Sequence, residues 1–218
     1  MPKMNVLVVN VGGATFKYQL IDMPDETILA RGSVDRIGAK ESLITHQDKS
    51  KEKIVTKKAI PDHYTAIREA FKLIDTSNID AIGLKTVHAG EKFIGSFLLT
   101  DELLDAMRSA TPFAALHNPL FIKAIEICRE LLPNIPQVCV FETGFHATIP
   151  EYAYIYGLPY EWYQKYGIRK YGFHGASHKY IATRVAEILN SNKLKIVSCH
   201  LGSGTSVCAI KDGKSVDI

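Results

Sequence analysis

The segment that decides the fold of this 218-residue chain is residues 5–21, NVLVVNVGGATFKYQLI. An apolar run ends at two consecutive glycines, and the residues after them alternate between apolar and polar side chains. Such alternation is typical of a strand with one buried face. Two strands joined by a Gly-Gly turn fit the segment best. Residues 27–35 continue as a third strand, so the sequence predicts an antiparallel meander.

Downstream of the meander, strand and helix patterns follow each other. Residues 38–60 are mostly polar and predict a solvated excursion that ends in an edge strand. The remaining patterns predict helices at 61–75, 101–109, 118–131 and 177–190, strands at 80–87, 136–141 and 195–199, and a closing hairpin that turns at Asp212-Gly213.

A second informative stretch, residues 160–178, reads YEWYQKYGIRKYGFHGASH and leads into an apolar-periodic helix. Gly172 and Gly175 stand close to His174, so the backbone can turn sharply and a ligand can approach it. The free N–H groups at a helix start favour anions. The stretch therefore predicts a phosphate or phosphoryl site with His174 as a donor; the alternative is a glycine-rich helix entry with a packed histidine.

Two further positions have the pattern of functional residues. Glu142 follows an apolar strand, and ligands of open α/β sheets gather at the carboxyl ends of strands. A capping or solvent-facing carboxylate is the alternative there. The order strand, glycine-rich turn, strand occurs at residues 7–19 and again at 196–210. We expect two related halves, each with a turn that faces phosphate.

Composition excludes several classes of protein. The net charge of +3 is modest, and the basic residues do not cluster into one block except around Lys49–Lys58, which argues against nucleic-acid binding. No apolar stretch reaches the length of a membrane span, and the N-terminus does not have the pattern of a signal peptide. The four cysteines lack CxxC spacing. We expect buried thiols in a reducing cytoplasm and no membrane partner.

Several collinear segments resemble one family, the acetate kinases. They are LVVNVGGATFKYQLID, TVHAGEKF, LHNP, VFETGFHATIPEYAYIYGLPYEWYQKYGIRKYGFHGASHKYIA and CHLGSGTSVCAIKDGKSVD. Together they cover nearly all of the chain, and the run YGLPYEWYQKYGIRKYGFHG is the most specific of them. The resemblance implies that the chain corresponds to the N-terminal part of a family member.

The resemblance implies an α/β fold of the actin and sugar-kinase superfamily, built on ribonuclease-H-like mixed sheets flanked by helices. It implies a first domain at residues 1–147 and the opening of a second, nucleotide-binding domain at 148–218. The implied reaction is reversible phosphoryl transfer between ATP and acetate, or another short carboxylic acid, with Mg²⁺. The implied assembly of the full-length protein is a homodimer.

The resemblance also implies roles for individual residues. A pocket that holds the acetate methyl group discriminates small acids by size. Donors and positive charge stabilise the transferring phosphoryl group. The roles fall on Asn10 (metal), Lys17 (nucleotide phosphates), Lys85 and Glu142 (catalysis, with Lys85 also binding substrate), Val87, Leu116 and Phe173 (methyl pocket), His174 (phosphoryl group), His117 and His178 (further active-site histidines), and the phosphate loop His200, Leu201, Gly202, Ser203 and Gly204.

The chain departs from the family pattern at positions of chemical importance. Lys85 replaces an arginine, so a two-pronged donor becomes a point charge. Glu142 replaces an aspartate, and Ser203 replaces an asparagine. Misplacement of a catalytic group by about 1 Å can cost roughly a hundredfold in rate. We expect impaired or absent catalysis in this chain.

Three alternatives remain open from the sequence. The chain could be a catalytically silent binding module, or its substrate could be propionate or butyrate. A zinc site is the third alternative, because His174 and His178 have the four-residue spacing of helical zinc ligands. His46 and His63 lie in polar segments and are expected to face solvent.

Overall fold

The structure is a computed structural model, and it describes residues 3–49, 51–202 and 204–218. The chain forms two compact units. Unit 1 comprises the residues up to Thr86 together with Phe97–Cys139, and unit 2 comprises Val87–Ser96 and Val140–Ile218.

The elements follow the predicted order with a few additions. The strands are β1 Met4–Gly12, β2 Thr15–Met23, β3 Thr27–Asp35, β4 Ser42–Asp48, β5 Ile54–Lys58, β6 Ala81–Thr86, β7 Ser96–Leu98, β8 Gln137–Phe141, β9 Lys195–His200, β10 Ser206–Lys211 and β11 Lys214–Asp217. The helices are α1 His63–Phe71, α2 Asp101–Ser109, α3 Asn118–Leu131, α4 Glu151–Tyr154, α5 Tyr160–Tyr166 and α6 Gly175–Ile188.

The predicted meander is confirmed. β1 pairs antiparallel with β2 and β2 with β3, and every second residue of β1 and β2 points into the core. The turn differs by one residue from the prediction, because Gly12 still pairs with Thr15. The two turn residues are therefore Gly13 and Ala14.

Eight strands make one mixed sheet in the order β5-β4-β3-β2-β1-β6-β8-β7, with β1 and β6 parallel. Helices α1 and α3 pack on the sheet and on each other, and α2 packs on α3. Their buried stripes include Ile67, Phe71 and Ile125, so the apolar periodicity of the sequence identified the face that packs.

Strand β4 was missed, and the expectation that His46 faces solvent is wrong. The inward residues of β4 include Ser42 and His46, so no apolar alternation marks this strand. His46 is 3% exposed and lies in register with Gly32, which lies in register with Tyr18. A Cβ on Gly32 would stand 2.4 Å from the Tyr18 hydroxyl, so the bare backbone makes room for the tyrosine.

A chain of hydrogen bonds through Tyr18, His46 and Asp48 takes the place of apolar contacts at this position of the sheet. The hydroxyl of Tyr18 lies 2.7 Å from His46 Nδ1, and His46 Nε2 lies 3.0 Å from a carboxylate oxygen of Asp48. Burial, with Asp48 adding to it, raises the pKa of Tyr18, so the phenol keeps its proton. Lys51 and His46 together hold the pKa of Asp48 below its usual range.

Replacing Tyr18 by phenylalanine is expected to lower the free energy of unfolding by about 1–3 kcal/mol, because the buried Nδ1 of His46 loses its hydrogen-bond partner. Urea titration measures the change. Tyr64→Phe is the matched control, since the Tyr64 hydroxyl bonds an exposed carboxylate, that of Glu130. Equal urea midpoints for the two variants would show that the buried bond has no net effect on stability.

Unit 2 contains a smaller sheet in the order β11-β10-β9, again an antiparallel meander. Helix α6 packs on β9, and its Ala182 joins a small core with Cys208 and Ile210. The predicted hairpin at Asp212-Gly213 is confirmed, and both residues have the positive φ of a type I′ turn. Within the described ranges, no helix is both long enough and apolar enough to cross a membrane.

The expectation of buried thiols holds for three cysteines and is wrong for Cys199. Cys128, Cys139 and Cys208 are buried, whereas Cys199 points to the exposed face of β9. Burial raises the pKa of Cys128 and of Cys139 to about 12. These two thiols therefore serve as small apolar packing groups.

Candidate functional site

His174 adopts an unusual backbone conformation directly before helix α6. Its φ of 57° and ψ of 24° lie in the left-handed region, where a non-glycine residue is strained by about 1–2 kcal/mol. Gly172, two residues earlier, also has a positive φ of 79°. With positive φ angles at both Gly172 and His174, the backbone turns sharply and helix α6 begins at Gly175, directly after His174. The imidazole therefore lies beside the first turn of α6.

The close approach of Glu142 to the start of α6, both in unit 2, depends on Gly175. Its N–H donates to the backbone carbonyl of Glu142 at 3.1 Å, and an ideal Cβ at this position would lie 2.0 Å from that oxygen. Only glycine fits this contact. The contact places Glu142, at the carboxyl end of β8, against the start of α6, and its side chain is 6% exposed.

The His174 ring is held on three sides. Its Nδ1 lies 2.9 Å from the Ser206 hydroxyl, and the ring stacks on His200 with 4.0 Å between centroids. The opposite edge, with Nε2, faces Gly204, where an added Cβ would stand 3.2 Å away. Within unit 2, the structure thus brings His174 next to the predicted phosphate loop.

His178 lies one helical turn further along α6 and is fully buried. Its Nδ1 lies 2.9 Å from Ser198 Oγ and its Nε2 2.8 Å from Ser206 Oγ. Burial lowers the pKa of His178, and His174 and His200 add to this, while Glu142 opposes it. The imidazole is therefore neutral near neutral pH.

A fourth histidine of unit 2, His146, was not predicted. Its Nδ1 lies 2.9 Å from Ser215 Oγ, and its Nε2 lies 3.0 Å from the carbonyl oxygen of Phe173, the residue before His174. Burial lowers the pKa of His146 to about 4, although the Phe173 carbonyl favours the protonated form. His146 is thus a neutral ring that stabilises the strained turn at His174 through the Phe173 carbonyl.

Three described residues of the predicted phosphate loop are exposed, and His200 is half-buried. Leu201 is 75% exposed, Gly202 and Gly204 are exposed, and the Thr205 hydroxyl lies 3.4 Å from the carbonyl of Gly202. Ser203 lies outside the described residues. The accessible glycines, the N-terminus of the 14-residue helix α6 and the imidazoles of His174 and His200 can together bind an anion by hydrogen bonds and by the helix dipole.

In unit 1, Asn10 and Lys17 are direct neighbours across β1 and β2, and both are exposed. They line an open groove of about 500 Å³, together with Arg31 and Lys53. The expectation that His63 faces solvent is wrong, since it is half-buried and its Nε2 lies 2.9 Å from the carbonyl oxygen of Gly12. His63 therefore ties α1 to the first glycine turn.

The remaining predicted positions have individual environments. In unit 1, Lys85 is half-buried on β6, Leu116 is 89% exposed, and His117 is exposed and stacks on Phe121. In unit 2, Val87 is buried and Phe173 is 42% exposed. A common pocket of Val87, Leu116 and Phe173 stays a prediction.

The arrangement of side-chain donors bears on metal binding. Among the described residues, no group of three or more His, Cys, Asp or Glu side chains could hold a metal ion. His174 and His178 both direct a ring nitrogen at Ser206, which leaves the zinc alternative without support. Mg²⁺ needs fewer protein ligands, because it keeps waters and binds substrate phosphates. The exposed amide of Asn10 fits that requirement.

Sequence reasoning missed the hydroxyl partners of the histidines. Ser198, Ser206 and Ser215 come from three different strands, and each lies 20 or more residues from the imidazole that it contacts. The only available signal was that β9 and β10 flank the glycine loop. Which of their residues point toward α6 depends on the packing of the sheet.

The family model described as the acetokinase family matches residues 5–218. The acetate kinase of Thermoanaerobacterium thermosaccharolyticum is 48% identical over 225 residues, and that of Dictyoglomus turgidum is 49% identical. Each alignment covers 98% of this chain and 56% of the relative, so the chain spans little more than half the length of these relatives.

Solved structures agree with the sequence matches. The acetate kinase of Porphyromonas gingivalis superposes with a TM-score of 0.86 at 40% identity. A propionate kinase from Francisella tularensis superposes with a TM-score of 0.92 at 35% identity. Each match covers 98% of this chain and 56% of the solved chain. The predicted fold class is confirmed.

Proposed function

Because this chain belongs to the acetokinase family, we propose that it contributes the phosphoryl-binding part of a kinase that transfers phosphate reversibly between ATP and acetate. The products of the forward reaction are acetyl phosphate and ADP. The catalytic and binding roles expected for the residues above are part of this proposal. So are the domain division after residue 147, the homodimer and the cytoplasmic location.

The observation that carries the proposal is the strained His174 beside the glycine loop. Backbone strain persists only where the surroundings enforce it, and it is common at functional sites. Here a bonded hydroxyl, a stacked imidazole and the start of α6 enforce it. A merely structural helix entry would use glycine at this position without strain.

The residues act by placing donors around a transferring phosphoryl group. Such a transfer needs positioning and positive charge on the phosphoryl oxygens more than covalent chemistry. His174 would donate from Nε2, the exposed loop at Gly202 and Gly204 would offer backbone N–H groups, and Lys17 would bind nucleotide phosphates. Asn10 would hold Mg²⁺, which neutralises phosphate charge when bound.

Two substitutions weaken this machinery in the proposal. Lys85 cannot form the two-pronged bond that arginine makes to carboxylate or phosphate. Glu142 is one methylene longer than the aspartate of the family, in a buried position where the carboxylate has little room to adjust. A silent binding module is therefore the second candidate. Propionate is a further candidate acceptor, supported by the likeness to a propionate kinase.

A chimera tests the proposal in a chain of full family length. Residues 1–218 replace the matching part of the T. thermosaccharolyticum acetate kinase, and trapping with hydroxylamine measures acetyl phosphate formed from ATP, acetate and Mg²⁺. We expect product at a rate about a hundredfold or more below that of the intact relative. Propionate and butyrate are assayed in parallel to rank the acceptors.

The double variant Lys85→Arg with Glu142→Asp in the same chimera is expected to raise the rate about 10- to 100-fold, since it restores both donor shape and carboxylate reach. The matched control is Lys179→Arg, an exposed change on α6. If the chimera is active and the double variant leaves its rate unchanged, Lys85 and Glu142 do not impair catalysis, which contradicts the proposal. A chimera that is folded yet inactive in both forms supports the silent module.

A further inference from the structure

A continuous chain of hydrogen bonds in unit 2 runs from a buried serine to His174. Ser198 Oγ contacts His178 Nδ1 at 2.9 Å, His178 Nε2 contacts Ser206 Oγ at 2.8 Å, and Ser206 Oγ contacts His174 Nδ1 at 2.9 Å. Its inner members are rigidly placed, since Ser198 is 4% exposed and His178 is fully buried. The chain therefore ends at one fixed edge of the His174 ring.

The strands that carry the two serines set these distances. Ser206 begins β10 and pairs in register with His200 at the end of β9. His200 stacks on His174 at 4.0 Å, and its own Nδ1 contacts Ser177 rather than the chain. Hence Ser206 supplies the hydroxyl, and His200 supplies the flat surface that keeps the ring in its plane.

The single proton of a hydroxyl makes such a chain directional. Ser206 can donate to only one of its two histidine partners and must accept from the other. If it donates to His174 Nδ1, neutral His174 carries its own proton on Nε2, and neutral His178 donates from Nε2 to Ser206. In the reverse order, His174 would present a lone pair toward Gly204, which would repel an anion in the loop.

We propose that Ser206, oriented by His178, is a positioning residue that holds His174 in the Nε2–H tautomer, with this N–H directed at the loop of Gly202 and Gly204. The donor-to-acceptor direction assigned to this chain of hydrogen bonds rests on the proposed function, because an anion needs a donor at Nε2. The hydrogen-bond chain transfers no proton in this role. It determines which nitrogen of His174 carries the hydrogen and prevents rotation of the ring.

Nuclear magnetic resonance of the 218-residue chain with ¹⁵N-labelled histidine reads the tautomer directly, because protonated and bare ring nitrogens resonate far apart. We expect wild-type His174 to favour Nε2–H by about tenfold, the ratio given by one net hydrogen bond. In Ser206→Ala this preference is expected to fall to within about threefold. Ser206→Thr keeps a hydroxyl and is expected to restore it.

Ser177→Ala is the matched control, because it removes the hydroxyl at His200 Nδ1 and leaves Ser198, His178 and Ser206 in place, and it is expected to leave the His174 tautomer unchanged. Circular dichroism verifies that each variant is folded. Should Ser206→Ala not fold, Ser198→Ala tests the same chain from its far end through the tautomer of His178. An unchanged His174 tautomer in folded Ser206→Ala, or a wild-type ring with hydrogen on Nδ1, overturns the proposal.

The chimera separates this inference from the proposed function. If the tautomer responds to Ser206 while the chimera forms no acetyl phosphate, the positioning role stands and the proposed function fails. If the chimera is active and Ser206→Ala lowers kcat without changing the tautomer, the inference fails and the function stands. A fall in kcat of about tenfold with KM unchanged, together with the tautomer shift, is the expected result.

Discussion

Replacing Gly175 by alanine is expected to destabilise unit 2 by several kcal/mol. A Cβ at this position would lie 2.0 Å from the backbone oxygen of Glu142 and 3.2 Å from the Cβ of Phe145. Neither the backbone oxygen nor the start of α6 can move away easily, so the helix must shift away from Glu142 and Phe145. The contact that places Glu142 beside the histidines is then lost.

The sign of this effect is informative, because helix propensity alone predicts the opposite. Alanine in a helix is favoured over glycine by about 1 kcal/mol. Thermal unfolding by circular dichroism measures the change, and Gly157→Ala is the control, since nothing lies within 4 Å of a Cβ at that position. A Gly175→Ala variant as stable as Gly157→Ala would show that α6 can adjust without cost.

Unit 2 is expected to lose stability as the pH falls from about 6.5 to about 4. Burial lowers the pKa of both His88 and His146 to about 4, with Arg169 adding to the effect on His88. The unfolded chain, with an ordinary histidine pKa near 6.5, binds these protons first. Their contribution is therefore complete above pH 6.5 and declines down to about pH 4, by at most about 3 kcal/mol for each ring.

Urea titrations at half-unit intervals of pH, followed by tyrosine fluorescence and by hydrogen exchange of β11, measure this decline. His146→Gln is expected to be less stable at pH 7, because it loses the fit between Ser215 and the Phe173 carbonyl, yet to depend less on pH. The carboxylates of Asp48 and Glu69, in unit 1, have lowered pKa values, so their contribution to stability is lost at a lower pH than that of these imidazoles. A flat profile between pH 7 and 4.5 would contradict the burial of these imidazoles.

The sequence predicted the elements that have a regular apolar pattern. The meander β1–β3, helices α2 and α3, strand β8 and the Asp212-Gly213 hairpin lie where the pattern indicated, because local alternation and turn chemistry specify them. Strand β4 was missed for the same reason. Its inward His46 is buried by Tyr18, a partner 28 residues away that no local pattern reveals.

The candidate site divides in a similar way. The sequence by itself determined the family, the two glycine turns and the presence of His174 at a helix start, since these depend on neighbouring residues. Only the tertiary structure decided the left-handed φ of His174, the glycine contact with Glu142 and the serines that fix each imidazole. Those features arise within unit 2, where Glu142, β9, β10 and α6 meet, and the distances between them come from packing, which a linear sequence does not display.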